Sequence, residues 1–155
     1  MPRIEIETVY MQVAYQFAQL SYAMRRKVGC IIVKENQVIS FGYNGMPYGF
    51  NNICEDNTHS NCTIEHEHPE MTTTTKREVL HAESNAITKV AKSTMSCDMA
   101  QLYTTTCPCF DCAKLIIQAG IVSVYYTEDY RDMSGVELLK AAGIPVEKIS
   151  VTDEY

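Results

Sequence analysis

The chain has 155 residues, 46% of them hydrophobic and 21% charged, the balance of a globular rather than a disordered chain. A formal net charge of −6 argues against nucleic acid as a partner, because a duplex or tRNA binder needs a basic face for its phosphates. No window reaches the roughly 18 consecutive apolar residues of a membrane span, and Met1–Glu5 carries no apolar signal-peptide core. The expectation is therefore a cytoplasmic protein with no membrane partner, in the host cytoplasm if the source is a phage. A small anionic ligand stays open, since it needs only a local cluster of donors.

Ile4 to Met24 fits a buried helix, with Val9, Val13, Phe17, Leu20 and Met24 recurring at three- and four-residue steps. Val28–Val33 and Val38–Tyr43, joined by Lys34-Glu35-Asn36-Gln37, read as an antiparallel hairpin. Residues 45 to 76 break this pattern with glycines, prolines, Asn, Asp and a run of four threonines, an excursion of functional or mobile type. Beyond it, helix and strand alternate. A helix runs from near His81 to Lys92, a strand over Gln101–Thr105, and a helix from about Cys109 to Ala119, stopped by Gly120. A strand at Val122–Tyr126, a helix at Gly135–Ala142 and a last strand at Pro145–Val151 follow. The fold class is α/β: a three-layer α/β/α sandwich around a mixed five-stranded sheet, one domain over 1–155 with its later strands parallel.

Seven cysteines, an odd count without a secretory signal, argue against a disulfide framework. Three of them cluster at 107, 109 and 112 beside a second motif, giving His81-Ala82-Glu83, 24 residues, then Pro108-Cys109-Phe110-Asp111-Cys112. Cys109 and Cys112 are three apart, so on the first turn of a helix both sulfurs face one way. Pro108 suits a helix start, and the positive end of the helix favours thiolates. One histidine and two thiolates make three ligands, leaving tetrahedral Zn²⁺ an open position for water, which is a catalytic arrangement. Glu83 and His81 are two apart and point in nearly opposite directions along a regular helix. They converge only if the site lies beyond the helix tip, with His81 at the cap. Glu83 then stands beside the water as a proton carrier without binding metal.

These motifs resemble the zinc-dependent cytidine and deoxycytidylate deaminases, whose signature joins His-x-Glu to Pro-Cys-x-x-Cys. Arg25-Arg26-Lys27-Val28-Gly29, Gly42-Tyr43-Asn44-Gly45-Met46-Pro47, His81–Ile87, Pro108–Lys114 and Gln118–Ile121 are similar to the deoxycytidylate branch. The resemblance covers nearly the whole chain outside 45–76, and Gly-Tyr-Asn-Gly is its discriminating element. It implies hydrolysis of dCMP to dUMP and ammonia, with zinc on His81, Cys109 and Cys112, and Glu83 carrying protons to ring N3 and the departing amine. It also implies that the Ala82 backbone and the turn Thr105–Cys107 lie against the base, Asn44 at the sugar and Tyr130 near the nucleotide. Further implications are a homo-oligomer, commonly a hexamer, and activation by dCTP and inhibition by dTTP. The effector, with Mg²⁺ on a triphosphate, would meet Gly42, Tyr43, Asn44 and Gly45.

Charge supports a nucleotide over a nucleoside. Arg25-Arg26-Lys27 is the one three-residue basic run in an acidic chain, and Lys76 and Arg77 precede His81. Arginine forks suit phosphate, although such runs are commonly solvated turns. Cys54, Cys62, His66 and His68, with His59, form a second cluster in the excursion. A structural zinc and a polar loop both fit it, because Cys-x7-Cys-x3-His-x-His is not a standard finger spacing. Alternative readings are a related zinc deaminase acting on cytidine, deoxycytidine, dCTP or tRNA adenosine, or a non-catalytic zinc module binding nucleotides. Acidic charge opposes tRNA, Gly-Tyr-Asn-Gly opposes a free nucleoside, and the intact Glu83 opposes a purely structural metal.

Overall fold

The computed structural model describes residues 4–58 and 72–151. In chain order these form α1 (Ile6–Ala18), β1 (Gly29–Lys34), β2 (Gln37–Tyr43), β3 (Glu55–Thr58), β4 (Thr72–Thr75), α2 (Ala82–Ala91), β5 (Gln101–Thr106), α3 (Phe110–Gln118), β6 (Ser123–Glu128), α4 (Ser134–Ala141) and β7 (Val146–Lys148). The main sheet has five strands in the order β2-β1-β5-β6-β7. β1 is antiparallel to both neighbours, whereas β5, β6 and β7 run parallel. Glu35 and Asn36 close the β1–β2 hairpin with φ of 51° and 60°. Two central residues in the left-handed region give the turn whose twist matches its strands. No helix among the described residues is long and apolar enough to cross a membrane.

Alternation along the central strands divides the core into two. Cys30, Ile32, Leu102 and Val124 pack beneath α2, α3 and α4. Ile31, Val33 and Tyr103, with Tyr125 beside them, pack under α1. A strand covered on both faces reads as a continuous apolar run, as Cys30–Val33 does. Helices on the two faces complete the three layers. Phe17 stacks on Phe41 at 4.0 Å, clamping α1 to β2, while Tyr103 and Tyr125 stack at 4.6 Å across β5 and β6.

The first helix is shorter than its apolar pattern predicts, and it buries a different stripe. It ends at Ala18, and the buried residues are Tyr10, Met11, Ala14 and Ala18, while Val9, Leu20 and Met24 are exposed. Gly29 supplies the reason. A Cβ there would stand 2.0 Å from the Ala14 carbonyl oxygen, so α1 lies directly on the β1 backbone and the contact is lined by small residues. Beyond α1 the chain turns sharply, with the Ser21 hydroxyl accepting the Ala23 amide and donating to the Asn44 carbonyl.

The excursion also holds more order than its composition predicts. Four threonines form β4, antiparallel to β3 with Glu55 opposite Thr75 and Thr58 opposite Thr72. β-Branched side chains favour this geometry, but a pairing across an intervening stretch leaves no local signal.

Candidate active site

Two helix tips build the site. His81 is the N-cap of α2, extended at φ −73° and ψ 156°, so its ring projects beyond the helix while Glu83 occupies the first turn. Cys109 is the N-cap of α3, and its sulfur accepts the Cys112 amide at 3.4 Å. This corrects the reading of Pro108 as the helix start. The cap falls on Cys109 because its sulfur satisfies an otherwise free amide, and Pro108 lies just outside. His81 Nδ1 is 3.3 Å from Cys109 Sγ and 3.5 Å from Cys112 Sγ. The three donor atoms all lie within 4.8 Å of one another, the metal-capable cluster found among the described residues.

The chemistry of this donor set fits zinc. Hydrogen bonds from the Cys112 thiol and from His81 pull the Cys109 thiol down to about 4, against its burial. Cys112 is pushed up by its bond to Cys109 and by burial, so it keeps the proton the pair shares, while the Ser84 amide draws it down. His81 is raised chiefly by its bond to Cys109. A nitrogen and two sulfurs, one of them drawn towards the thiolate, form a soft, closely spaced ligand set.

Glu83 is 4% exposed and accepts the Thr104 hydroxyl at 3.3 Å. Burial raises its carboxyl, opposed by its own amide, the neighbouring His81 and the Thr104 hydroxyl. A carboxyl raised by burial takes and returns a proton readily, as a general acid–base group must. Thr104 escaped the sequence reading, although alternation from Leu102 on β5 puts it on the α2 face. Thr105, Thr106 and Cys107 are buried after it, the Cys107 amide donates to the Glu128 carbonyl at 2.9 Å, and Thr106 Oγ1 is buried without a partner among the described residues.

Glycine lets the elements close around this point. A Cβ on Gly42 would be 2.1 Å from the Ala82 carbonyl oxygen, and one on Gly135 would be 2.1 Å from the Pro108 carbonyl oxygen. The segment Gly42–Gly45 runs beside the tip of α2. Asn85 Nδ2 donates to the Tyr43 carbonyl at 2.9 Å, and Gly45 exchanges two backbone bonds with Leu80.

The basic run meets the end of β6. The Arg26 guanidinium donates to Glu128 Oε2 at 3.2 Å and stands 5.4 Å from the Tyr130 ring centre. Tyr15 donates to the other Glu128 oxygen at 3.1 Å. Arg26 and Glu83 both act electrostatically on Cys107. Asn44 Oδ1 accepts the Val28 amide at 2.8 Å, and its Nδ2 donates to the Arg26 carbonyl at 2.8 Å. That leaves the Asn44 amide one N–H and one lone pair for a ligand. Arg25 and Arg77 are exposed, while Lys76 faces Asp56 at 3.7 Å. Of the second cluster, Cys54 is buried with its sulfur 3.7 Å from the Asn52 carbonyl, and Cys62, His59, His66 and His68 lie outside the described residues. Glu128 and Glu55, which organise the basic turn, carried no sequence signal, because neither lies near it in the chain.

Residues 4–128 match the family model described as the cytidine and deoxycytidylate deaminase zinc-binding region. The chain belongs to that deaminase family. Deoxycytidylate deaminase of Saccharomyces cerevisiae is 37% identical over 96% of this chain and 46% of its own, so the chain spans less than half of that relative. The phage T4 deoxycytidylate deaminase is 35% identical over 88% of this chain and 86% of its own. Among solved structures, dCMP deaminase from cyanophage S-TIM5 in complex with dCMP and dUMP superposes with a TM-score of 0.80. It is 41% identical, covering 96% of this chain and 100% of that one. The mixed five-stranded sheet with the four helices of the described residues is the deaminase fold of these neighbours.

Proposed function

We propose that the chain hydrolyses dCMP to dUMP and ammonia, supplying dUMP for thymidylate synthesis. The observation that carries this reading is the meeting of His81, Cys109 and Cys112 at two helix tips with Glu83 buried beside them. Its relatives named deoxycytidylate deaminase, and one bound to dCMP and dUMP, support the choice of substrate.

His81, Cys109 and Cys112 would hold zinc, which when bound supplies Lewis-acid activation of the attacking water. Glu83 takes a proton from that water and delivers it to ring N3 as the oxygen–C4 bond forms. The second water proton passes through Glu83 to the amino nitrogen as the C4–N4 bond breaks, and ammonia leaves. Thr104 holds the Glu83 carboxyl in place through the whole cycle. The Ala82 backbone and the turn Thr105–Cys107 face the base. Asn44 offers its spare N–H and lone pair to the sugar, and Tyr130 flanks the nucleotide. Arg26 and Arg25 receive the phosphate, and Arg77 is a further candidate for it.

Ammonia release from dCMP, deoxycytidine and dCTP by zinc-loaded protein tests this, with dCTP or dTTP added as effectors. Turnover of dCMP supports the reading, and turnover of deoxycytidine alone overturns it. Activation by dCTP with Mg²⁺ and inhibition by dTTP would establish the regulation that family resemblance suggests, for which Gly42–Gly45 is the proposed effector contact. Sedimentation checks the homo-oligomer, for which a hexamer is favoured and a monomer refutes. Metal analysis checks a second zinc on Cys54, Cys62, His66 and His68, which one zinc per chain rules out.

A further inference from the structure

Glu55 is the first residue of β3, far in sequence from the basic run, yet it is 5% exposed and points into the base of that turn. Its Oε1 accepts the backbone amides of both Met24, at 2.9 Å, and Arg25, at 3.2 Å. We propose that Glu55 is a positioning residue for recognition of the substrate phosphate: it fixes the 24–25 backbone so that Arg25 and Arg26 meet the phosphate in one pre-set arrangement. This rests on the assignment of those arginines to the phosphate.

Three features support the role. A carboxylate withdrawn from water is costly unless charge-assisted hydrogen bonds compensate it, so a buried one on two successive amides is tightly committed to that geometry. Two adjacent N–H groups converging on one oxygen define the backbone direction at Met24 and Arg25, which an exposed turn would otherwise leave free. The same turn is held from its other side, where Asn44 bonds the Val28 amide and the Arg26 carbonyl. Glu55 and Asn44 therefore bracket the two arginines, and the Arg26 side chain is oriented by Glu128 and Tyr130. Arginines set in this way lose less freedom when an anion arrives, which lowers the entropic cost of binding. β3 and β4 form a sheet of their own, and this carboxylate fastens that ribbon to the turn that carries Arg25 and Arg26.

An interaction that serves ground and transition state alike appears in KM and leaves kcat untouched. In the zinc-loaded enzyme, Glu55→Ala is expected to raise the KM for dCMP by about tenfold, with kcat within about twofold, corresponding to about 1.4 kcal/mol of binding. Glu55→Gln keeps an acceptor oxygen and is expected to return KM to within about threefold of the parent. If Glu55→Ala does not fold, Glu55→Asp, whose carboxylate falls short by one methylene, must show the same split. An unchanged KM in the Ala or Asp variant, or a fall in kcat that accounts for the whole defect, overturns the proposal. Arg25→Ala and Arg26→Ala run alongside. If both leave KM unchanged, the phosphate assignment has failed and the role of Glu55 falls with it; if either raises KM while Glu55→Ala does not, the Glu55 proposal alone is refuted.

Discussion

Replacing Gly42 by alanine tests how the helix that carries His81 and Glu83 is seated. The added Cβ would stand 2.1 Å from the Ala82 carbonyl oxygen and 2.6 Å from the Ala86 amide nitrogen, both backbone atoms of α2. Ordinary contact needs about 3.4 Å, so the first turn of α2 must retreat from β2 by about 1.3 Å. Overpacking costs about 1–3 kcal/mol, and two backbone clashes place this substitution near the top of that range. A domain of this length loses roughly 2–4 °C of Tm per kcal/mol, giving a fall of about 6–12 °C. His81 and Glu83 ride on the displaced turn. A misplacement of about 1 Å there is expected to lower kcat/KM by about 100-fold. Differential scanning calorimetry, bound zinc and dCMP turnover are read together. Gly29→Ala is the comparison, because its Cβ would meet the Ala14 carbonyl oxygen at 2.0 Å and displace α1 instead. It should cost similar stability while retaining more zinc and more activity. A Gly42→Ala protein with parental Tm and rate would refute the steric account.

Three further outcomes are expected. Glu83→Gln keeps the shape of the site but removes its proton carrier, so kcat should fall by about 10²–10⁴ with zinc retained, and a rate above a tenth of the parent's would contradict the assigned role. Cys112→Ser should release zinc to a chelator and lower Tm to that of the metal-free parent; full zinc content by metal analysis would remove Cys112 from the ligand set. Asp129 is held below the usual carboxylate range, first by its hydrogen bond from Lys148. Its stabilising contribution is present above the unfolded carboxyl's value and is lost as pH falls through the lowered one. Asp129→Asn should therefore lower Tm slightly at neutral pH, with the gap to the parent closing in acid. A gap independent of pH would exclude the charge as its source.

The sequence carried the local part of this structure well. The hairpin of β1 and β2 follows from two β-branched runs around Glu35-Asn36, and the observed turn has the left-handed pair that such a loop requires. α2 and β5 lie within a residue of their predicted bounds, since period and flanking turns agree there. The His-x-Glu geometry was legible too: placing His81 at a helix cap was the condition for the pair to converge, and His81 is the N-cap. What the sequence did not carry is close approach. Gly29 against Ala14 turns the small residues of α1 inward and leaves Val9 and Leu20 outside, reversing the expectation drawn from bulk. Contacts joining distant positions, such as Glu55 to Met24 or Glu128 to Arg26, leave no spacing to read. β3 and β4 were missed for the same reason.

The stretch from Gly42 to Gly45 touches both halves of the site. Gly42 seats Ala82, Gly45 pairs with Leu80 next to His81, and Asn44 holds the backbone of Arg26 and Val28. Substrate preference and chemical rate are thus separable at some positions and inseparable at others. On the proposed assignment of Arg25, Arg26 and Tyr130 to the nucleotide, changes there alter side chains alone and would retune preference between a nucleotide and a nucleoside. Changes between Gly42 and Gly45 shift two backbones together, so variation that alters recognition while sparing catalysis has to pass through the first set of positions.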